Sequence, residues 1–160
     1  MKNSPVNVGI ACALVVKEPG ALITYALGSC VGVCLFDRKK HIAGMAHIML
    51  PSYEDAADRQ NLYKFADSGC ELLLRSMLRQ GAGRDDITAR LVGGARMFRT
   101  GGSMEGIGER NVNAVRETLH RLGIHITAED TGKDYGRTVT LDSVTGEVTV
   151  KAVNGEIKKI

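Results

Sequence analysis

The sequence has no tryptophan, and its aromatic content is only 4%. Modules that stack nucleic-acid bases depend on aromatic platforms, so this scarcity argues against them. A basic segment for tracking phosphates is missing too: the net charge is +3, and the lysines and arginines are scattered along the chain. Nucleic acid is therefore not an expected partner. No apolar run approaches the roughly 20 residues of a membrane span, so the chain does not read as a membrane protein. The stretch Val8 to Val16 is short and is followed by Lys17 and Glu18 where a signal peptide would carry small residues. It reads as the first strand of a domain. The four cysteines (Cys12, Cys30, Cys34, Cys70) lack the spacing of a disulfide framework. They read as reduced thiols of a cytoplasmic protein, with Cys12, Cys34 and Cys70 as core residues. There is no repeat, low-complexity tract or long linker, so residues 1–160 read as one domain, and nothing requires more than a monomer.

What is present is an ordinary globular balance, 44% hydrophobic and 24% charged. Strands are predicted over Val6 to Val16, Ala21 to Leu27, Val31 to Phe36, Ile42 to Leu50, Ile87 to Val92 and Ile124 to Ala128, with a terminal hairpin of Thr138 to Asp142 and Glu147 to Val153. Glu129 to Gly132 reads as a polar turn. Helical periodicity covers Leu62 to Leu78, where Leu62, Phe65, Ala66, Gly69, Leu73 and Met77 form one stripe, and about Glu109 to Leu122. Many strands against two helices make the fold class α+β, mixed β-sheet layers with the two main helices packed on them.

The chemistry concentrates between Thr24 and Pro51. Val31 to Phe36 and Ile42 to Leu50 read as a hairpin joined by Asp37 to Lys40. That link pairs Phe36 with His41, Cys34 with Ala43 and Cys30 with His47. Opposed residues have Cβ atoms about 4.5–5.5 Å apart on one face, close to what a thiol and an imidazole need to exchange a proton. A slip of one residue would separate them. Gly28 and Ser29 form a break before Cys30 that can set the thiol at a sheet edge and turn backbone N–H groups toward an oxyanion. A neighbouring imidazole can lower a thiol's pKa and leave a thiolate. Thr24 can accept the second imidazole N–H and fix its tautomer, although strand threonines are usually filler. A zinc site is disfavoured because Cys30 and Cys34 lie about 13 Å apart on a straight strand, too far for both to reach about 2.3 Å from one ion. The glycines at 101, 102, 106 and 108 begin like a dinucleotide motif but lack its third glycine and acidic residue, so they read as the cap of the second helix.

The blocks LGSCVGVCLFD, IAGMAHIMLP, GGARMF, IGERNV and AEDTG, in this order, resemble the CheD family of chemoreceptor glutamine deamidases. The resemblance spans most of the chain. It implies a CheD-like cysteine hydrolase fold, a nucleophile at Cys30, a base at His47 and a third member at Thr24. It also implies hydrolysis of receptor glutamine amides to glutamate and ammonia through a thioester, with no metal or organic cofactor. The implied partners are the cytoplasmic helical domain of a methyl-accepting chemotaxis receptor and a CheC-type phosphatase. One departure is visible: Lys133 stands where the family often has a second glycine after EDT. The competing expectations are a non-catalytic module that docks receptors or the phosphatase, and a receptor methylesterase using the same thiol.

Overall fold

The computed structural model describes residues 4–97 and 106–160. Gly101 and Gly102 of the glycine-rich segment, and Phe98 of the GGARMF block, lie outside them. The ten strands are β1 (Val6–Asn7), β2 (Ala13–Lys17), β3 (Ala21–Leu27), β4 (Val31–Asp37), β5 (Ile42–Ile48), β6 (Ile87–Gly93), β7 (His125–Thr131), β8 (Arg137–Asp142), β9 (Val148–Ala152) and β10 (Ile157–Lys159). The two helices are α1 (Ala66–Arg79) and α2 (Ile107–Arg121). The strands form two five-stranded sheets, in the orders β1-β3-β8-β9-β10 and β2-β5-β4-β6-β7. Both sheets are mixed: β1–β3 and β6–β7 are parallel, and the other pairs are antiparallel. The predicted α+β class and helix-on-sheet packing are what the structure has.

The second sheet is the middle layer, and the pleat explains why β4 and β5 are apolar at nearly every position. Val31, Val33 and Leu35 of β4, with Ile42, Ala46 and Ile48 of β5, pack toward α1 and α2. Cys34 and Phe36 of β4, with Ala43 and Met45 of β5, pack toward Leu22, Val139, Leu141 and Val150 of the first sheet. Every residue of both strands is buried, as a strand covered on both faces requires.

Several boundaries differ from the sequence reading. The first predicted strand is two, and they serve different sheets. Val6–Asn7 pairs with β3, and Ala13–Lys17 pairs with β5. The chain crosses between them over residues 8–12, with Ala11 at φ +58°. The first helix begins at Ala66 instead of Leu62. Phe65 is extended and forms a bridge with Leu50, the Ala66 N–H donates to the Leu50 carbonyl, and Leu62 is left 40% exposed. Glu129 to Thr131 continues β7 and is not a turn: the parallel pairing with Leu91, Val92 and Gly93 extends through it. Its carboxylates are met by cations, Glu129 by Arg116, and Asp130 by Arg137 and Lys158. Strand β10 was not anticipated. Its residues are exposed and are held by pairing with β9.

The family departure at Lys133 has a local consequence. Lys133 sits at φ +62°, the left-handed region where a Cβ costs roughly 1–2 kcal/mol and glycine none. The loop keeps the conformation that a glycine would favour.

Candidate active site

The hairpin link is Arg38 to His41, one residue later than predicted, because Asp37 closes β4 opposite Ile42. The Asp37 carboxylate accepts from the N–H groups of Lys39, Lys40 and Gly83. Burial pushes that carboxyl up, and the three donors more than reverse this and hold it below its ordinary value. Pairing is shifted by two residues as a result. His47 faces Gly32, and Cys34 faces Met45 rather than Ala43. A two-residue shift preserves the face. Cys30, two residues before Gly32, lies in the bend leading into β4 and packs on the same inter-sheet cluster as Cys34. It is therefore a diagonal neighbour of His47 and not its direct partner. Diagonal positions on one face of a strand pair lie about 7–8 Å apart.

Gly32 is the residue between them, and it is closely packed. A Cβ there would lie 3.0 Å from Leu27 Cδ1, 3.2 Å from Val139 Cγ1 and 3.7 Å from Thr24 Cγ2. Any side chain at position 32 would press on Leu27 and Val139 of the first sheet.

Thr24 comes from β3 of the first sheet, so the site is built across the inter-sheet space. Its Oγ1 donates to the Val8 carbonyl at 2.7 Å and lies 2.7 Å from His47 Nδ1. A hydroxyl has one proton. With that proton on Val8, Thr24 can only accept from the imidazole, so Nδ1 carries the hydrogen and Nε2 keeps its lone pair. Nε2 is buried and has no hydrogen-bond partner among the described residues. Thr24 and His47 are both fully buried. Backbone pairing fixes the histidine further: its N–H donates to the Cys12 carbonyl, and its carbonyl accepts from the Ala11 N–H.

Burial pulls the His47 pKa down to about 4 and pushes the Cys30 thiol up. The resting pair is thus a neutral imidazole and a neutral thiol, where the sequence suggested a preformed thiolate. Cys34 and Cys70 are buried and pushed up to about 12. Cys12 is exposed, contrary to its reading as a core residue, because it sits in the crossing between the sheets and not in a strand.

The turn before Cys30 owes its shape to Ala26, at φ +58° within a bulge of β3, rather than to Gly28. The Gly28 N–H donates to the Ala26 carbonyl. Gly28 lies against Met97, where a Cβ would be 3.2 Å from Cγ. Two contributors were not singled out from the sequence, Gly32 and Asn111. Asn111 lies inside the quoted IGERNV block but looks like any polar helix residue. Among the described residues no three His, Cys, Asp or Glu side chains come together to hold a metal ion, and no helix is long and apolar enough to cross a membrane.

His47 has one nitrogen fixed by a hydroxyl and the other bare, and Cys30 is a half-buried thiol in the bend before the neighbouring strand; groups of these kinds suit acyl transfer. Comparison with known proteins narrows this. The family described as CheD chemotactic sensory transduction matches residues 49–152. The chain is 45% identical to the "Probable chemoreceptor glutamine deamidase CheD" of Caldanaerobacter subterraneus subsp. tengcongensis, over 100% of both chains. It is 43% identical to the protein of the same name from Moorella thermoacetica, over 100% of this chain and 98% of that one. It is also 43% identical to a "CheD 1" from Methanosarcina acetivorans, over 92% of each. The chain belongs to the CheD family. Among solved structures, the Bacillus licheniformis hypothetical protein YfiH aligns at TM-score 0.48 and 16% identity, over 76% of this chain and 51% of that one, a distant likeness on which nothing below depends.

Proposed function

We infer that the protein is a chemoreceptor glutamine deamidase, hydrolysing receptor glutamine side-chain amides to glutamate and ammonia. The observation that carries the reading is the Thr24–His47 hydrogen bond, which leaves His47 Nε2 bare on the face shared with Cys30. The Cys30 sulfur attacks the amide carbonyl while Nε2 takes its proton. The resulting imidazolium gives that proton to the departing nitrogen, ammonia leaves, and a thioester remains. Water, deprotonated by His47, attacks the thioester; glutamate leaves and the thiol is restored. The oxyanion of each tetrahedral intermediate is met by N–H groups of the Gly28–Ser29–Cys30 turn. The Gly28 N–H is committed to Ala26, so the Ser29 and Cys30 N–H groups take this role. The mechanism uses side chains and backbone alone.

Each turnover adds a negative charge to a helical signalling domain, which shifts helix–helix repulsion and with it the signalling equilibrium. The partner is accordingly the cytoplasmic helical domain of a methyl-accepting chemotaxis receptor. A CheC-type phosphatase is a second partner, and the protein works in the cytoplasm as a monomer. The test incubates the wild-type protein with receptor cytoplasmic domains and follows ammonia release and conversion of glutamine to glutamate by mass. Absence of both across a receptor panel defeats the reading and favours a docking module. Turnover of glutamyl methyl esters but not of glutamine would make it an esterase instead.

Thr24 gives a graded check. Thr24→Val keeps the shape but leaves the Val8 carbonyl and His47 Nδ1 without partners. We expect kcat to fall about 10–100-fold, short of the roughly 10⁴-fold that losing a charged triad orienter costs. Stability should fall by about 1–3 kcal/mol from the unpaired buried groups. Thr24→Ser, which retains the hydroxyl, should stay near wild type in both measurements.

A further inference from the structure

Three consecutive carbonyls at the nucleophile turn are each held. The Ala95 N–H donates to the Gly28 carbonyl at 2.8 Å, and the Gly94 N–H donates to the Cys30 carbonyl at 2.8 Å. The Ser29 carbonyl between them accepts from Asn111 Nδ2 at 3.0 Å. The second proton of that amide goes to the Met49 carbonyl at 2.9 Å, two residues beyond His47. Two carbonyls can be met only by an NH₂ group, which fixes the orientation of the Asn111 amide. Asn111 is fully buried, and its Oδ1 has no partner among the described residues. A buried acceptor left unpaired is costly, so the side chain is present for its donors.

The donors share one wall. Gly94 and Ala95 are pressed onto the first turns of α2, which also carries Asn111. A Cβ on Gly94 would lie 2.1 Å from Val112 Cγ2, and one on Gly108 would lie 2.3 Å from the Ala95 carbonyl. Gly93, at φ +111°, brings the chain so close that a Cβ would meet the Cys30 carbonyl at 2.3 Å. Only glycine fits that conformation and that spacing.

In a trans peptide the carbonyl and the following N–H point in opposite directions. Holding the Ser29 carbonyl toward α2 turns the Cys30 N–H away from α2. Holding the Gly28 carbonyl toward Ala95 does the same for the Ser29 N–H. We propose that Asn111 is the positioning residue of the oxyanion site: by fixing the Ser29–Cys30 peptide it aims the Cys30 N–H at the developing oxyanion, and through Met49 it ties that peptide to the strand bearing His47. This rests on the deamidase reading above.

The test uses Asn111→Asp, which has the same shape but lacks both donors, in a Cys12→Ser background so that the exposed thiol takes no label. Deamidation of a receptor cytoplasmic domain gives kcat and KM. Alkylation of Cys30 by iodoacetamide, a displacement that builds no oxyanion, gives the reactivity of the thiol itself. We expect kcat to fall about 100-fold, the size of losing one oxyanion donor, with KM and the alkylation rate within about twofold of the parent. Asn111→Ser, which keeps one donor, should fall between them and covers the case in which the aspartate variant does not fold. An unchanged kcat in the variants overturns the proposal. So does a parallel loss of kcat and alkylation, or failure of both variants to fold, since Asn111 would then support the thiol or the fold at large. If wild-type protein releases no ammonia, the deamidase reading falls and takes the proposal with it. Wild-type turnover with indifferent variants removes the role of Asn111 alone.

Discussion

Cys30→Ala is expected to abolish ammonia release from receptor domains, with a loss in kcat of at least about 10³-fold, because removing a nucleophile removes the covalent route and leaves only binding and oxyanion contacts. The substitution is a clean one. Cys30 is half-buried at a bend, and alanine there removes one sulfur without opening the packed layers. The variant should therefore keep a stability within about 1 kcal/mol of wild type, since the side chain is only half-buried and the substitution deletes a single atom. Full activity in Cys30→Ala would falsify the mechanism outright. Thiol labelling gives a second view. Burial pushes Cys34 and Cys70 up to about 12 and shields them, so neither competes for an alkylating agent. Cys12 is exposed and does compete, so the experiment belongs in a Cys12→Ser protein. Burial also raises the Cys30 thiol above its ordinary value. Labelling should accordingly speed up only as the solution becomes alkaline, unlike a thiol held as a thiolate at neutral pH.

His47→Gln is expected to lower kcat about 10²–10⁴-fold, the usual contribution of a positioned general base. The pH dependence of the wild-type protein carries its signature. The base works only when neutral, and burial holds its pKa near 4. The acid limb of kcat/KM should therefore lie well below the roughly 6.5 of an ordinary histidine. An acid limb centred at 6.5 or above would mean that His47 is solvated or not the base. Stability follows the same group. The unfolded chain takes up a proton on this histidine below about pH 6.5, while the folded chain resists until about pH 4. Its contribution is present above 6.5, is lost as the pH falls through that window, and amounts to about 3 kcal/mol in total. Replacing His47 by glutamine should flatten the acid loss of stability over that window, as read by urea unfolding at a series of pH values.

The two cysteines of β4 and its lead-in show how much was legible. The Gly-Ser break, the histidine in an apolar strand and the family blocks marked Cys30, His47 and Thr24. The strands that carry them begin and end within a residue or two of where apolar runs and turn residues placed them. The face shared by thiol and imidazole was also legible, because the two-residue repeat of a strand survives an even slip. The register itself was not. It turned on Asp37, whose carboxylate collects three backbone donors, one of them from Gly83, forty-six residues away. No local pattern announces such a partner. The division of the first strand between two sheets was hidden for the same reason: Val6 to Val16 is continuous in hydrophobicity, and only the positions of β3 and β5 split it.

The residues by themselves determined the family, the α+β class and the identity of the three candidate side chains, because periodicity, turn chemistry and motif are local properties. Tertiary structure alone decided which sheet supplies the threonine, that His47 Nδ1 holds the proton, that His47 and Cys30 rest neutral, and that Asn111 grips the turn before Cys30. Each of these depends on burial or on a hydrogen bond between elements far apart in the chain, and desolvation and long-range pairing exist only once the layers have closed on one another.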